Sequence, residues 1–320
     1  MDLDAQAALL YERVAAVADA TTADRVVGSA RPGVTFRRSA PCTDDGPLGA
    51  SKLGGDPDLP PHLPWPQYAD EANIRLMTSG PERGGLGTSP RRPLAFVTQI
   101  DLADVTHWDT LGLLPKAGLL SCFHVDDNME VFGLDARDAT GWRLFYSPPE
   151  AELLRRHDWG GHTGPRHWFN GVLEELPYRC ATLDAEPTLS LAPEYTFFEH
   201  EAFRSAFQTP LGDVLNNWHV QQSGWEPERP PAIRLLGHPI PWQQSDPRRT
   251  CAQVQPSSVQ APDAHLDRWT HVLGISTQDD LFMTFAGDGT CNFLLPDFQP
   301  RPERELSDVL LRRVWAATGR

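Results

Sequence analysis

The sequence predicts an α/β protein of the α+β type, richer in strand than in helix, with two pseudo-repeated β units sharing one sheet and helices at the N- and C-termini. Three observations carry this: many apolar runs of strand length, a faint internal repeat, and helical spacing of apolar residues at both ends of the chain. Thirty prolines and 25 glycines in 320 residues cut the chain into short elements joined by many loops. Hydrophobic residues make up 40%, enough to bury a real core and too many for a chain disordered throughout. The organisation expected is an N-terminal helix within residues 1–30 and one domain over 31–320, divisible into halves at 31–180 and 181–320.

Taken in order, residues 3–18 read as a helix, because Leu10, Val14 and Val17 recur at helical spacing with Leu3 and Ala7 behind them. Residues 34–38 read as a short strand, followed by proline-rich and glycine-rich connections over 39–66 and 70–93. Strands are expected at 94–100, 118–124 and 142–146. Ser147-Pro-Pro-Glu150 has capping-box spacing with proline at the first helical position, which predicts a helix to about His157. Further strands are expected at 172–176, 233–236, 271–276, 281–285 and 291–295, with a Pro-, Ser- and Gln-rich surface loop at 245–264. A helix at 303–317, with Leu306, Leu310, Val314 and Ala317 on one face, closes the chain.

The repeat pairs two passages. Residues 94–101 and then 118–123 match residues 269–276 and then 289–294; each is a buried strand, a turn-rich connection, and a strand that begins after glycine.

Charge and composition exclude several functions. The chain carries 28 basic and 43 acidic residues, a net charge of −15, with only two lysines, so it lacks the basic surface that nucleic acid requires. No apolar run approaches the roughly 20 residues of a membrane-spanning helix, and the opening Met1-Asp2-Leu3-Asp4 is acidic where a secretory leader is basic; a cytoplasmic protein is expected. Its five cysteines are scattered with no C-x-x-C pair, which points to reduced, buried thiols and to neither a zinc ribbon nor a thioredoxin-type motif. Between residues 181 and 228 eight carboxylates face a single base, Arg204. Such a bias is either a solvated face or a landing surface for a basic protein partner, with Glu194, Glu199 and Glu201 as its centre.

The densest chemical cluster is Arg156-His-Asp-Trp-Gly-Gly-His-Thr-Gly-Pro-Arg-His-Trp168. His157, His162 and His167 are metal-ligand types, but a spacing of five sets them far apart around a helix, and the glycines argue for a loop that uses Trp159 and Trp168 for packing or recognition. No nucleophile elbow is present, and Cys122 and His124 lack a third orienting group. No catalytic constellation and no cofactor are therefore expected; a metal-dependent enzyme working through the three histidines is the alternative reading. Gln99 stands within an apolar strand, where its amide must find partners in the core or face a ligand. Trp65, between two prolines, reads as an apolar anchor against the sheet.

Ser51-Lys-Leu-Gly-Gly-Asp-Pro-Asp-Leu-Pro60, Leu63-Pro-Trp-Pro66, Pro93-Leu-Ala-Phe-Val-Thr-Gln-Ile-Asp-Leu102, Leu113-Leu-Pro-Lys-Ala-Gly-Leu-Leu120 and Arg234-Leu-Leu-Gly-His-Pro239 together resemble the YwqG-like family, a bacterial domain of unknown function. Two departures fall in the C-terminal third: Leu273-Gly274 stands where the family has Leu-Gln, and Phe285-Ala-Gly-Asp-Gly289 where it has Trp-Gly-Asp-x-Gly. The resemblance implies kinship with the programmed cell death protein 2 group, associated with chaperoning a new ribosomal protein, and with accessory factors of secreted toxin systems. It therefore implies a chaperone- or immunity-like protein binder. The zinc-binding cysteines of the eukaryotic relatives have no counterpart in this chain.

Overall fold

The computed structural model describes residues 1–42, 46–68, 92–110, 112–125, 133–134, 136–157, 166–169, 172–175, 178–197, 200–223, 231–240, 246–254, 266–285, 289–296, 311 and 313–319. Its strands in chain order are β1 (Arg31–Pro41), β2 (Lys52–Leu53), β3 (Asp58–Leu59), β4 (Gln67–Tyr68), β5 (Arg92–Pro93), β6 (Ala95–Asp101), β7 (Leu119–His124) and β8 (Trp142–Ser147). They continue with β9 (Leu154–Arg155), β10 (Arg166–Phe169), β11 (Val172–Glu175), β12 (Ala181–Ser190), β13 (Pro231–Leu236), β14 (Trp269–Ser276), β15 (Thr290–Pro296) and β16 (Trp315–Gly319). The helices are α1 (Leu3–Ala15), α2 (Ala20–Ser29), α3 (Glu201–Ala206), α4 (Pro210–Ser223) and α5 (Pro247–Val254). The protein is thus α+β and strand-rich. No helix among the described residues is long and apolar enough to cross a membrane.

Ten strands form one antiparallel sheet in the order β16-β15-β14-β13-β1-β12-β2-β6-β7-β8. Read inward from either edge, this order is the same: three sequential strands, a strand that continues them, then one of the central pair β1 and β12. The sequence repeat reappears in the register. Gln99 pairs with Ser121 and Gly274 with Asn292, and the one irregularity in each ladder falls at Phe96/Thr98 and at His271/Leu273. Even the hydrogen bond after each strand is duplicated, from Leu102 N to Gly118 O and from Thr277 N to Gly289 O, both 2.9 Å.

The two edges of the sheet curl toward each other. On β8 Trp142 donates its indole N–H to Val314 O at 3.1 Å and meets Trp315 edge-on, centroids 5.1 Å apart. The indole of Trp315 in turn donates to Gly133 O. Near-closure gives the strands one shared interior, and a single apolar cluster draws on Phe36, Phe96, Phe123, Leu235, Ile275 and Phe293. Trp65 is an anchor as expected from its place in the sequence: it is buried, donates to Leu94 O at 2.9 Å and packs edge-on to Phe123.

A second apolar cluster lies outside the sheet, where Leu10 and Val14 of α1, Ala23 and Val26 of α2, and Leu215 and Trp218 of α4 cover Leu189 and Leu191. The expected helix at 3–18 forms as α1, and α2 is an addition to it. Asp2 and Asp19 explain both starts, since each side chain accepts the N–H three residues on, at 2.8 and 2.7 Å.

Several expectations are corrected by tertiary contacts. The capping-box segment at 147–157 makes no helix. Ser147 stays in β8 opposite Leu119, the prolines give only a turn, and the chain re-extends as β9 to set Arg155 opposite Asp58. Residues 281–285 are not a strand, because Phe282 takes a left-handed turn (φ 64°) that folds Met283 back onto Gln278. Within 245–264 lies α5, capped by Asp246 with proline at its first position and burying Cys251 and Ala252; residues 255–264 fall outside the described residues. Most of the helix expected at 303–317 also falls outside them, and its end is not helical: Ala317 lies in β16, paired with Asn292.

The cysteines divide. Cys122, Cys251 and Cys291 are buried thiols as expected, but Cys42 and Cys180 form a disulfide across 138 residues. Sequence spacing hid it, because the β1–β12 ladder brings the two together. A cross-link over so long a loop restricts the unfolded chain, by about 2–4 kcal/mol in comparable cases. Denaturant titration with and without reductant should show that loss on reduction, and the Cys42→Ser/Cys180→Ser double variant should reproduce it.

Candidate functional site

The site begins at the double glycine after β2. Gly54 and Gly55 both take left-handed backbone (φ 59° and 68°), and a Cβ on Gly54 would lie 2.3 Å from Arg179 O. Only glycine allows this turn. It presses the chain against the 178–180 segment, with Gly55 against Cys180 of the disulfide, and delivers Asp58 to the interior.

Asp58 is fully buried, and four groups converge on its carboxylate with five bonds. Gln99 donates at 2.7 Å, the Gly49 N–H at 3.0 Å and Lys52 at 3.3 Å to one oxygen, while Arg155 donates to both, at 2.9 and 3.4 Å. Burial alone would raise the Asp58 pKa; the bonds from Arg155 and Gln99 and the charge of Lys52 more than reverse this and hold it low. Lys52 moves down, because burial outweighs the pull of Asp58. Gln99 also accepts from Asp58 N and donates to Ala50 O, both at 2.9 Å, so both amide hydrogens are committed inside the protein. The buried amide expected from the sequence therefore serves as the joint between β6 and the glycine turn.

Beside this network a cleft of about 410 Å³ is walled by Ser51, Lys52, Asp56, Arg155, Arg179, Thr182 and the disulfide. Thr182 leads onto an open face of the central pair. Arg37 lies opposite Asp184 and Thr35 opposite Glu186; Arg37 also forms an ion pair with Glu186, and Asp184 and Glu186 are exposed. At the far end, under α1 and α4, a smaller recess of about 170 Å³ is lined by Gln6, Arg37, Glu186 and Trp218.

The repeat supplies a second version of the glycine turn. Lys52-Leu-Gly-Gly-Asp-Pro57 corresponds to Arg234-Leu-Leu-Gly-His-Pro239, with Leu236 and Gly237 again left-handed (φ 61° and 72°). Here Ile240 replaces the buried acid. A Cβ on Gly274, at the position of Gln99, would lie 2.9 Å from the Ile240 side chain. The amide is supplied one strand over instead, since Asn292 accepts from Ile240 N at 2.9 Å and donates to Ile240 O at 3.1 Å. The Leu273-Gly274 departure noted in the sequence is thus compensated locally. His238 and His271 sit beside this turn, donating to Ser29 O and Leu236 O.

The other expected site residues scatter. His157 is exposed, its Nδ1 2.6 Å from Asp56 at the cleft wall. His167 and Trp168 lie on β10, and His162 and Trp159 fall outside the described residues. Among the described residues no three of His, Cys, Asp and Glu are grouped to hold a metal. Glu194 is half-buried, Glu201 is exposed in the first turn of α3, and Glu199 lies outside the described residues. Sequence reasoning missed Asp58, Lys52 and Arg155; one of only two lysines beside a double glycine was the signal available.

The fold and this site define a class: a strand-rich α+β protein with an internally repeated sheet and a buried ion cluster under an open cleft. Residues 51–298 match the family described as domain of unknown function DUF1963, and the chain belongs to it. That span runs from the Ser51 block to just past β15, and so includes both glycine turns. No curated protein matches the chain.

Replacing Gln99 with Leu leaves Asp58 N and Ala50 O unpaired and weakens the hold on Asp58. Urea titration should show a loss of roughly 2–4 kcal/mol. A second prediction concerns acid. Burial pushes His124 down to about 4 and His238 and His271 to about 3. The folded state therefore excludes protons that the unfolded chain binds below about pH 6.5. Stability should fall between pH 6.5 and 4, by about 1.4 kcal/mol per pH unit for each such histidine, and His124→Gln should reduce that slope.

Proposed function

We propose that the chain is a protein-binding accessory factor, chaperone- or immunity-like in the manner of YwqG-like proteins, that takes a basic partner. The observation that carries this reading is the open face of β1 and β12. In the middle of a sheet whose strands β6, β7, β14 and β15 are buried on both faces, Asp184 and Glu186 are exposed between two recesses. Glu194 and Glu201 extend the same acidic stretch along the chain, and the net charge of −15 draws basic partners to it. On the same footing, 31–320 is read as one domain of two halves, 31–180 and 181–320, behind the N-terminal helices. A cytoplasmic home is part of the reading, and it requires the Cys42–Cys180 bond to withstand a reducing pool.

Affinity capture from the native host at low and high salt tests it. A basic protein should be retained at 0.1 M salt and lost near 1 M, where the Debye length falls from about 10 Å to about 3 Å. The Asp184→Lys/Glu201→Lys double variant should fail to capture it while keeping its thermal stability. Capture that is indifferent to both salt and charge reversal removes the reading.

A further inference from the structure

β12 lies inside the sheet, yet its outer edge is only partly covered. Gln6 of α1 reaches Pro187 O and Leu189 N, both at 2.9 Å, from the side away from β1. Residues 187 and 189 therefore turn their backbone groups outward, and strand alternation turns 183 and 185 outward too. Proline at 187 agrees, since it has no N–H to give. β2 covers this edge opposite Ala181 and Thr182 alone. The pairing of Thr182 with Lys52 turns the Leu183 N–H to Ser51 O; between there and Gln6, the Leu183 C=O and the Ala185 N–H and C=O are bonded by no described residue. Their side chains pack on the core, while Asp184 and Glu186 stand exposed on the other face.

We infer that this gap in β12 receives an extended, basic segment of a partner polypeptide, which adds as a short strand between β2 and α1. The inference rests on the protein-binding reading above and specifies how the partner is held. Main-chain bonds to Leu183 and Ala185 supply the pairing. Asp184 and Glu186 select basic side chains at neighbouring positions on the open face. The recess at Gln6, Arg37, Glu186 and Trp218 lies on that face at the end of the gap. Edges left open are usually blunted by charge or proline; here Pro187 and Gln6 blunt one end and leave two residues able to pair.

The test uses the full chain with two ten-residue peptides, one alternating lysine and valine, the other glutamate and valine, both capped. In the free chain the Ala185 amide should exchange rapidly with solvent. The lysine peptide should slow it at least tenfold and the glutamate peptide should not. Ala185→Pro keeps the ladder with β1, as Pro187 does, so its thermal melt should be unchanged and its affinity for the lysine peptide at least tenfold weaker. An Ala185 amide already protected in the free chain would mean that the chain covers its own edge, and would overturn the inference. Absence of protection by the lysine peptide, or equal protection by both peptides, would overturn it as well. If Ala185→Pro unfolds, the exchange result on the unaltered chain decides. Should host-partner capture survive Ala185→Pro but not Asp184→Lys, strand addition fails while the basic-partner reading stands; should it survive both, that reading fails too.

Discussion

The ladder between β1 and β12 is the constraint on which the rest depends. It joins two four-stranded flanks that would otherwise each end in an open edge. β1, from early in the chain, lies against β13, and β12, from the middle, lies against β2, so each flank is completed by a strand from the other part of the sequence. The shared interior, the meeting of Trp142 with Trp315, and the approach of Cys42 to Cys180 all follow from that exchange.

The two glycine turns show how one backbone solution accommodates two chemistries. In the first, a buried carboxylate gathers Lys52, Arg155 and Gln99 next to an open cleft. In the second, Ile240 fills the equivalent space and Asn292 ties the turn down through backbone bonds alone. A buried charge cluster is expensive to desolvate and adds little stability over an apolar packing of the same shape. Of the two turns only the first places a carboxylate at this position, Asp58 against Ile240, whereas the buried charge of the second is Arg234.

Much of this was legible in the sequence, and the failures have particular causes. Strands buried on both faces, such as β6, β7, β14 and β15, announce themselves as continuous apolar runs. The repeat was readable because each unit keeps a buried strand followed by a strand that begins after glycine, although the connections between them, 102–117 and 277–288, differ in length. β12 was invisible as a strand: its exposed face carries Asp184 and Glu186 and its length includes Pro187, a composition that reads as solvated loop. The capping box at Ser147 was a true local signal overruled by the pull of buried Asp58 on Arg155. The disulfide joins residues 138 positions apart and the Asp58–Arg155 bond joins residues 97 apart, and no local pattern encodes such a meeting.

The Cys42–Cys180 bond also changes what the ends of the chain can feel. A pull on the two termini passes from residue 42 directly to residue 180, so the 138 residues of the loop bear no tension. At about 3.4 Å per residue, roughly 470 Å of contour stays coiled until the bond is reduced. For the same reason a single proteolytic nick anywhere in that loop leaves one covalent piece. Oxidised, the protein could be cut there and still travel as a unit; reduced, the fragments would be held by β-sheet pairing and packing alone.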